Sequence, residues 1–158
     1  MSRTTYGSLI LHIPKDWEDA SIITLLPPTP KPFSLLSTKG VGEQQPNLVI
    51  RRQGFSGDAP DLEAFASAQD QMMTQLTDDL KVLSRGDLKL DKSGTPAVSR
   101  EYSFRSEPQY VQQLQVYFVF GRALFTACGT GAADASFAKL REHFYNVLNT
   151  IEFNESSE

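Results

Sequence analysis

Side chains able to carry out catalysis are few in this sequence, and they do not fall at the spacings that known sites require. The two histidines, His12 and His143, have no cysteine or second histidine at metal-ligand spacing. No GxSxG element is present, so serines such as Ser99 and Ser103 have no marked base. The sequence therefore predicts no metal, no cofactor and no enzymatic activity.

The region around Cys128 has a plain structural interpretation. Cys128 is the only cysteine, which excludes an internal disulfide, and we expect a buried, inert thiol. The following Gly129-Thr130-Gly131 resembles a phosphate loop only weakly, because the third glycine and the lysine are missing. A pair of carboxylates brought together by folding is left open, and with it a small-molecule enzyme as the weakest alternative.

The most informative polar residues are Gln113 and Gln115, which lie inside the apolar stretch of residues 110–128. Its many Val, Phe and Tyr residues predict two β-strands joined at Gly121-Arg122. Alternation places an apolar set on one face, namely Leu114, Val116, Phe118 and Phe120. The opposite face is mixed and carries Val111, Gln113, Gln115, Tyr117 and Val119. A mixed face is a candidate platform for a ligand or peptide, or else an ordinary solvent-facing side.

The composition is that of one globular domain, expected over residues 1–158 with a disordered tail at 154–158. Hydrophobic residues make up 40% and charged residues 22% of the 158 residues, and the net charge is −4. No basic cluster is present, so we expect no nucleic-acid partner. No apolar run reaches the ~20 residues of a bilayer span, so we expect no direct membrane insertion. The N-terminus lacks a signal-like apolar region, so we expect the cytoplasm unless a signal peptide has been removed.

Hydrophobic periodicity predicts an α+β fold, in which an antiparallel sheet is flanked by a long helix and a C-terminal helix. Strands besides the central pair are expected at residues 8–13, 21–26, 47–53, 82–90 and 96–105. The long helix is expected at residues 62–81 with Asp61 as its N-cap, and the second from residues 133–135 to Ile151.

Three smaller features complete the expectations. Trp17 is expected to anchor the core, and residues 27–46 to form a Pro-rich loop with a short edge strand at 33–37. On the long helix, Met72 and Met73 either fill gaps in the core or form an adaptable binding surface.

Residues 12–26 have a recognisable pattern, Ile-Pro-x-x-Trp-x-Asp-x-Ser-Ile. This pattern resembles the first hairpin of the DcrB-like family and, more closely, the Eag chaperones that accompany type VI secretion effectors. The resemblance continues in Leu48-Val49-Ile50, in Gly57-Asp58-Ala59-Pro60 before the long helix, and in Gln115-Val116-Tyr117. It covers most of the chain in order and length.

The resemblance implies a PsbP-like α/β/α sandwich, a homodimer and a chaperone role. Such proteins hold the apolar N-terminal transmembrane segments of secreted toxins in a groove on the sheet. Transferred position by position, the effector-binding groove would comprise Ile22, Thr24, Val49, Gln69, Met73, Val111, Gln113 and Gln115. Thr24, where the family tends to be apolar, and the long Pro-rich loop depart from the pattern at the groove's edge.

Two substitutions and one rival interpretation follow from this hypothesis. We expect Gln115→Ala or Val111→Asp to abolish protection of the client segment while the fold stays intact. The alternative is a general PsbP-like protein-binding domain that docks a folded partner. A helix-shaped apolar groove would favour the chaperone, and a convex charged patch would favour the alternative.

Overall fold

A computed structural model describes residues 46–153 with their side chains, together with the backbone of four earlier strands at residues 2–6, 9–13, 18–21 and 24–26. The elements, in chain order, are β1 (Ser2–Tyr6), β2 (Leu9–Ile13), β3 (Glu18–Ser21), β4 (Thr24–Leu26), β5 (Asn47–Gly54), α1 (Leu62–Leu76), β6 (Asp78–Lys89), β7 (Pro96–Ser106), β8 (Gln109–Phe120), β9 (Ala123–Ala132), α2 (Phe137–Leu148) and β10 (Glu152–Phe153).

The sheet that organises the molecule is antiparallel, and β8 lies near its middle. Its seven strands follow the order β3-β4-β5-β9-β8-β7-β6. The β8–β9 hairpin turns at Gly121, whose φ of 61° suits glycine. A smaller sheet of three strands has the order β1-β2-β10. The expected α+β class and central strand pair are therefore confirmed, with more strands than the sequence indicated.

One face of the large sheet forms the main core with α2. The apolar side of β8, which includes Leu114, Val116 and Phe118, packs there against Phe144 and Leu148 of the helix. Gly129 and Gly131 of β9 lie directly beneath the helix, and a Cβ at Gly131 would come within 2.7 Å of the Leu140 side chain. These two glycines therefore allow close contact between helix and sheet. Both glycines lie within β9.

The opposite face is only partly covered by α1. This helix packs against β7, β6 and β8. Its single fully buried residue is Ala66, beside a small apolar cluster that includes Tyr117, Val98 and the half-buried Phe65. On the same side of the sheet, Val49 of β5 and Cys128 of β9 remain half-buried.

The helix α1 is shorter than expected and ends at Leu76, not at residue 81. Thr77 closes it, because both its backbone N–H and its hydroxyl donate to the carbonyl of Met73. From Asp78 onward the chain pairs with β7, so tertiary pairing prevails over the helical spacing of Leu80.

The second helix is also shorter than expected, since it begins at Phe137 and ends at Leu148. Asp134 precedes it, and its carboxylate accepts a hydrogen bond from the backbone N–H of Ser136. The single strand expected at 21–26 is found only in part, because residues 24–26 form β4 whereas Ser21 is the last residue of the antiparallel β3. Trp17, most of the Pro-rich loop with its edge strand, and the tail at 154–158 lie outside the described residues. Within the described part of the chain, no helix has the length and apolar character needed to cross a membrane.

Candidate functional site

The uncovered part of the sheet on the α1 side is amphipathic. We call it the open face, and it comprises residues from three adjacent strands: Val49, Arg51, Gln113, Thr126 and Cys128. The antiparallel register places Val49 opposite Cys128, Arg51 opposite Thr126, and Gln113 opposite Thr130. All members of the open face except the exposed Arg51 are half-buried, so a ligand would meet both apolar and polar groups there.

One side of α1 borders this surface and is largely apolar. The helical spacing of Gln69, Met72, Met73 and Leu76 puts them on the same side of the helix. That side faces β8, because Met73 contacts Gln115 and the Phe65 ring packs edge-on against Tyr117 at 5.1 Å. Met72 is 49% exposed and Leu76 is 73% exposed. The open face and this side of α1 together form a surface that we call the groove.

A chain of side-chain hydrogen bonds runs along the floor of the groove. The Tyr117 hydroxyl donates to Oε1 of Gln115, and Nε2 of Gln115 donates to Oε1 of Gln113 at 2.6 Å. Nε2 of Gln113 then donates to the Thr130 hydroxyl at 3.2 Å. These bonds use both ends of Gln115 but only one of the two N–H donors of Gln113. Gln113 therefore has the spare hydrogen-bonding capacity for a ligand.

On the far side of α1, a buried arginine joins the helix to the sheet. Arg100 of β7 is 1% exposed. Its NH2 group donates to Oε1 of Glu63 at 2.7 Å, and its Nε donates to Oδ2 of Asp70 at 3.2 Å. The other oxygen of Asp70 accepts a hydrogen bond from the Tyr102 hydroxyl at 2.6 Å. Nε of Arg85 lies 3.5 Å from Oδ2 of Asp70. Asp70 is thus the point at which β6, β7 and α1 meet.

Burial and hydrogen bonding shift the pKa values of three side chains near the groove. The shifts keep the arginine charged and keep the tyrosine and the cysteine neutral. Burial alone would lower the pKa of Arg100, but hydrogen bonds to Glu63 and Asp70 and their charges raise it above its usual value. Burial raises the pKa of Tyr117 well above its ordinary range. Burial also raises the pKa of Cys128 to about 11, against smaller opposing effects of Thr130 and Arg51. At neutral pH the thiol is therefore protonated, as expected for an inert cysteine.

A second ion pair holds the helix on the opposite face of the sheet. Nε and NH2 of Arg141 in α2 donate to the two carboxylate oxygens of Glu101 in β7 at 2.8 and 2.7 Å. Gln112 also donates to that carboxylate. Glu101 is buried, whereas Arg141 is 38% exposed. This pair lies on the core side and does not border the groove.

The structure brings several of the sequence-predicted groove residues together. Val49 and Gln113 lie on the open face, and Gln69 and Met73 lie on the side of α1 that borders it. Thr24 belongs to β4 and pairs in register with Val49, although its side chain is not among those described. Ile22 lies outside the described residues.

Two of the predicted groove residues are too deeply buried to offer much surface to a ligand. Val111 is 3% exposed and Gln115 is 8% exposed. Val111→Asp would bury an unpaired carboxylate, so on this structure we expect the variant to destabilise the fold and not only to affect binding. Gln115 supports Gln113 through the hydrogen bond between them, and its contact with Met73 is a longer one of 3.9 Å.

The ion-paired residues Arg100 and Asp70 were missed by sequence reasoning. A signal for Arg100 was available, because it falls on the same alternating face as Val98 and Tyr102. A charge in that position needs a partner from another layer. Among the residues with described side chains, no cluster of three His, Cys, Asp or Glu is arranged to bind a metal.

Comparisons with known proteins identify the fold and a family. The DcrB family model matches residues 9–150. The Pseudomonas aeruginosa protein PA94, of unknown function, is 21% identical with a TM-score of 0.62, over 91% of this chain and 96% of that one. LpqN of Mycobacterium tuberculosis, involved in cell envelope biogenesis, is 14% identical with a TM-score of 0.67, over 97% and 90% of the two chains. The cyanobacterial PsbP of Synechocystis is 13% identical with a TM-score of 0.64, over 97% and 92%. No curated protein matches the sequence significantly. The structural matches indicate a PsbP-like fold.

Proposed function

This chain belongs to the DcrB family, and from that premise we propose that it is a non-enzymatic chaperone of the Eag type. In this role it binds the apolar N-terminal transmembrane segment of a type VI secretion effector and shields it from water before export. The protein acts as a homodimer in the cytoplasm, where the effector is made. It requires no cofactor.

The observation that carries the proposal is the composition of the groove. Met72 and Leu76 are large, apolar and exposed on the side of α1 that borders the open face. A transmembrane helix in water exposes a long apolar surface, and burying that surface against the groove is favourable by about 25 cal/mol per Å². Methionine side chains adapt to helices of different shape, which suits a protein that receives a flexible client.

The polar floor of the groove supplies the second part of recognition. Transmembrane helices carry Ser, Thr and backbone carbonyl groups that lose their water when the helix is covered. Gln113 has an N–H donor that the described hydrogen bonds do not use. It lies opposite Thr130 of β9, two residues along that strand from Cys128, which lies opposite the half-buried Val49. Gln115 holds the Gln113 amide in place by donating to its carbonyl oxygen.

The proposal is tested by co-expressing the protein with a soluble reporter fused to an apolar segment of about 20 residues taken from candidate effectors. We expect the wild type to keep the fusion soluble and to co-purify with it at a fixed ratio. Val49→Asp should weaken capture at least about tenfold, because an unpaired carboxylate in an apolar contact costs more than about 1.4 kcal/mol.

A matched control places the same new charge on the other layer of the molecule. Ala138 of α2 is exposed and lies on the helix that packs against the opposite face, so Ala138→Asp should leave capture unchanged. Capture of no apolar segment by the wild type would refute the proposal. Retention of folded soluble proteins, with no apolar segment among them, would instead support a general PsbP-like domain that docks a folded partner.

A further inference from the structure

The attachment of α1 to the sheet is unusually polar for a helix that flanks a core. Ala66 is its only fully buried residue, and Leu62 and Phe65 are half-buried. The C-terminal half of the helix carries the exposed Met72 and Leu76. By contrast, α2 buries Phe137, Phe144, Val147 and Leu148. Apolar packing therefore fixes the position of α2 far more tightly than that of α1.

Charged hydrogen bonds fix α1 instead. Arg100 is the buried partner, and it reaches Glu63 and Asp70, which lie two turns apart on the same side of the helix. Its NH1 group also donates to the backbone carbonyl of Ser99 at 3.1 Å, which limits the freedom of the guanidinium. Planar guanidinium bonds to carboxylates are strong and directional, so they define a distance as well as an attraction.

The position of Asp70 makes this distance relevant to the groove. Asp70 directly follows Gln69 and lies one turn before Met73 and Thr74, so it shares a helical turn with the groove-facing side of α1. Its side chain is short, 17% exposed, and bonded at both oxygens by groups of the sheet. A change in the length of this link must shift the groove-facing side of α1 relative to the open face.

We infer that the Arg100–Asp70 pair sets the width of the groove and thereby selects apolar helices by the bulk of their side chains. Asp70 and Arg100 are positioning residues in this scheme and do not contact the client. The inference rests on the proposed function, since it concerns which segments the same groove accepts. It goes beyond that function by naming the residues that determine the choice.

The test compares two apolar segments of equal length, one with a face of alanine residues and one with a face of leucine residues, each fused to the same soluble reporter. The measured quantity is the ratio of the two dissociation constants. Asp70→Glu keeps the charge and adds one methylene, about 1.5 Å of reach. We expect it to shift the ratio about tenfold toward the leucine-faced segment, because the wider groove would fit the larger side chains better and a misfit of about one methylene between ligand and apolar site costs at least about tenfold.

A control variant distinguishes a change in the width of the groove from a general loss of fold stability. Arg141→Lys weakens the two-bond pair with Glu101 that holds α2, yet that pair lies on the opposite face of the sheet. It should lower the melting temperature without changing the ratio of the two dissociation constants. If Asp70→Glu fails to fold, Arg100→Lys is the substitute, since it keeps the charge but loses the planar fork. Without the fork the groove should discriminate less between the two segments. The ratio of their dissociation constants should then be closer to one than in the wild type.

The outcomes distinguish the inference from the function on which it rests. Capture of both segments by the wild type, with a ratio that neither Asp70→Glu nor Arg100→Lys alters by more than about twofold, would overturn the inference and leave the chaperone role standing. An equal change of the ratio in Arg141→Lys would also overturn it, because general loosening would then suffice. Failure of the wild type to capture either segment would overturn the proposed function itself.

Discussion

The thiol of Cys128 lies on the open face and provides a chemical probe of the groove. Its pKa of about 11 lies above the ordinary value of 9.0, because burial disfavours the thiolate. We predict slow alkylation by iodoacetamide at pH 7.5 and a rate that keeps rising with pH until about pH 11. Bound client should slow the reaction further, since the sulfur faces the groove. Mass spectrometry of timed samples measures the rate, and Cys128→Ser is the unlabelled control. A rate that levels off near pH 9 would contradict the prediction.

Single residues also show where sequence reasoning stops. The alternation of β8 correctly assigned Gln113 and Gln115 to one face and Leu114 to the other. It could not show which of the two glutamines would be accessible, because that depends on where α1 crosses the sheet. Burial of Val111 and Gln115 is a property of the packed layers, not of the strand. The pairing of Arg100 with Asp70 joins residues thirty positions apart and has no local signature.

At the scale of elements, the contact between β9 and α2 depends on glycine. A Cβ built on Gly129 would overlap the ring of Phe144. We therefore predict that Gly129→Ala lowers the free energy of unfolding by about 1–3 kcal/mol, the usual cost of overpacking a core. Urea denaturation measures the change. Gly54→Ala is the matched control, because its new Cβ would meet only a carbonyl oxygen at 3.8 Å. Equal effects of both substitutions would show that the contact with Phe144 is not the cause.

The positions of the helices were predictable, whereas their ends were not. The apolar repeat and the Asp61 cap located the start of α1 correctly, and the Asp61 carboxylate does accept hydrogen bonds from the N–H groups of Glu63 and Ala64. The end was placed five residues too late, because Leu80 continues the helical spacing while its neighbours pair with β7. Periodicity cannot register that competition, since the competing partner lies some twenty residues away in the sequence.

For the whole molecule, the two faces of the sheet should differ in local stability. The helix α2 buries four residues whereas α1 buries one, so we predict faster amide hydrogen exchange in α1 than in α2 in the free protein. Bound client should slow exchange in α1 at least about tenfold, because the client packs against it, and should leave α2 unchanged. Exchange followed by mass spectrometry resolves the two helices. Equal protection of both helices in the free protein would argue against this division.

The fold class and the order of the main elements could be predicted from the sequence, whereas several short strands could not. Long apolar strands and helices with clear periodicity gave the α+β class and the order of the main elements. The short strands β1, β3 and β10 were not predicted. Strands β1 and β3 consist mostly of polar residues, and β10 has only two residues and pairs with β2, about 140 residues earlier in the chain. Pairing between distant segments is a collective property that short windows of sequence do not encode.

Strand β8 contributes alternate residues to the core under α2 and to the floor of the groove under α1. Both faces of β8 therefore constrain its register. Insertion or loss of one codon within it would exchange the two faces, sending Phe118 toward the groove and Gln115 toward the core. Point mutations can alter recognition while sparing the core, or the reverse, but an in-frame insertion or deletion of one residue damages both. Natural variation in length should consequently concentrate outside this hairpin, and change within it should proceed by substitution.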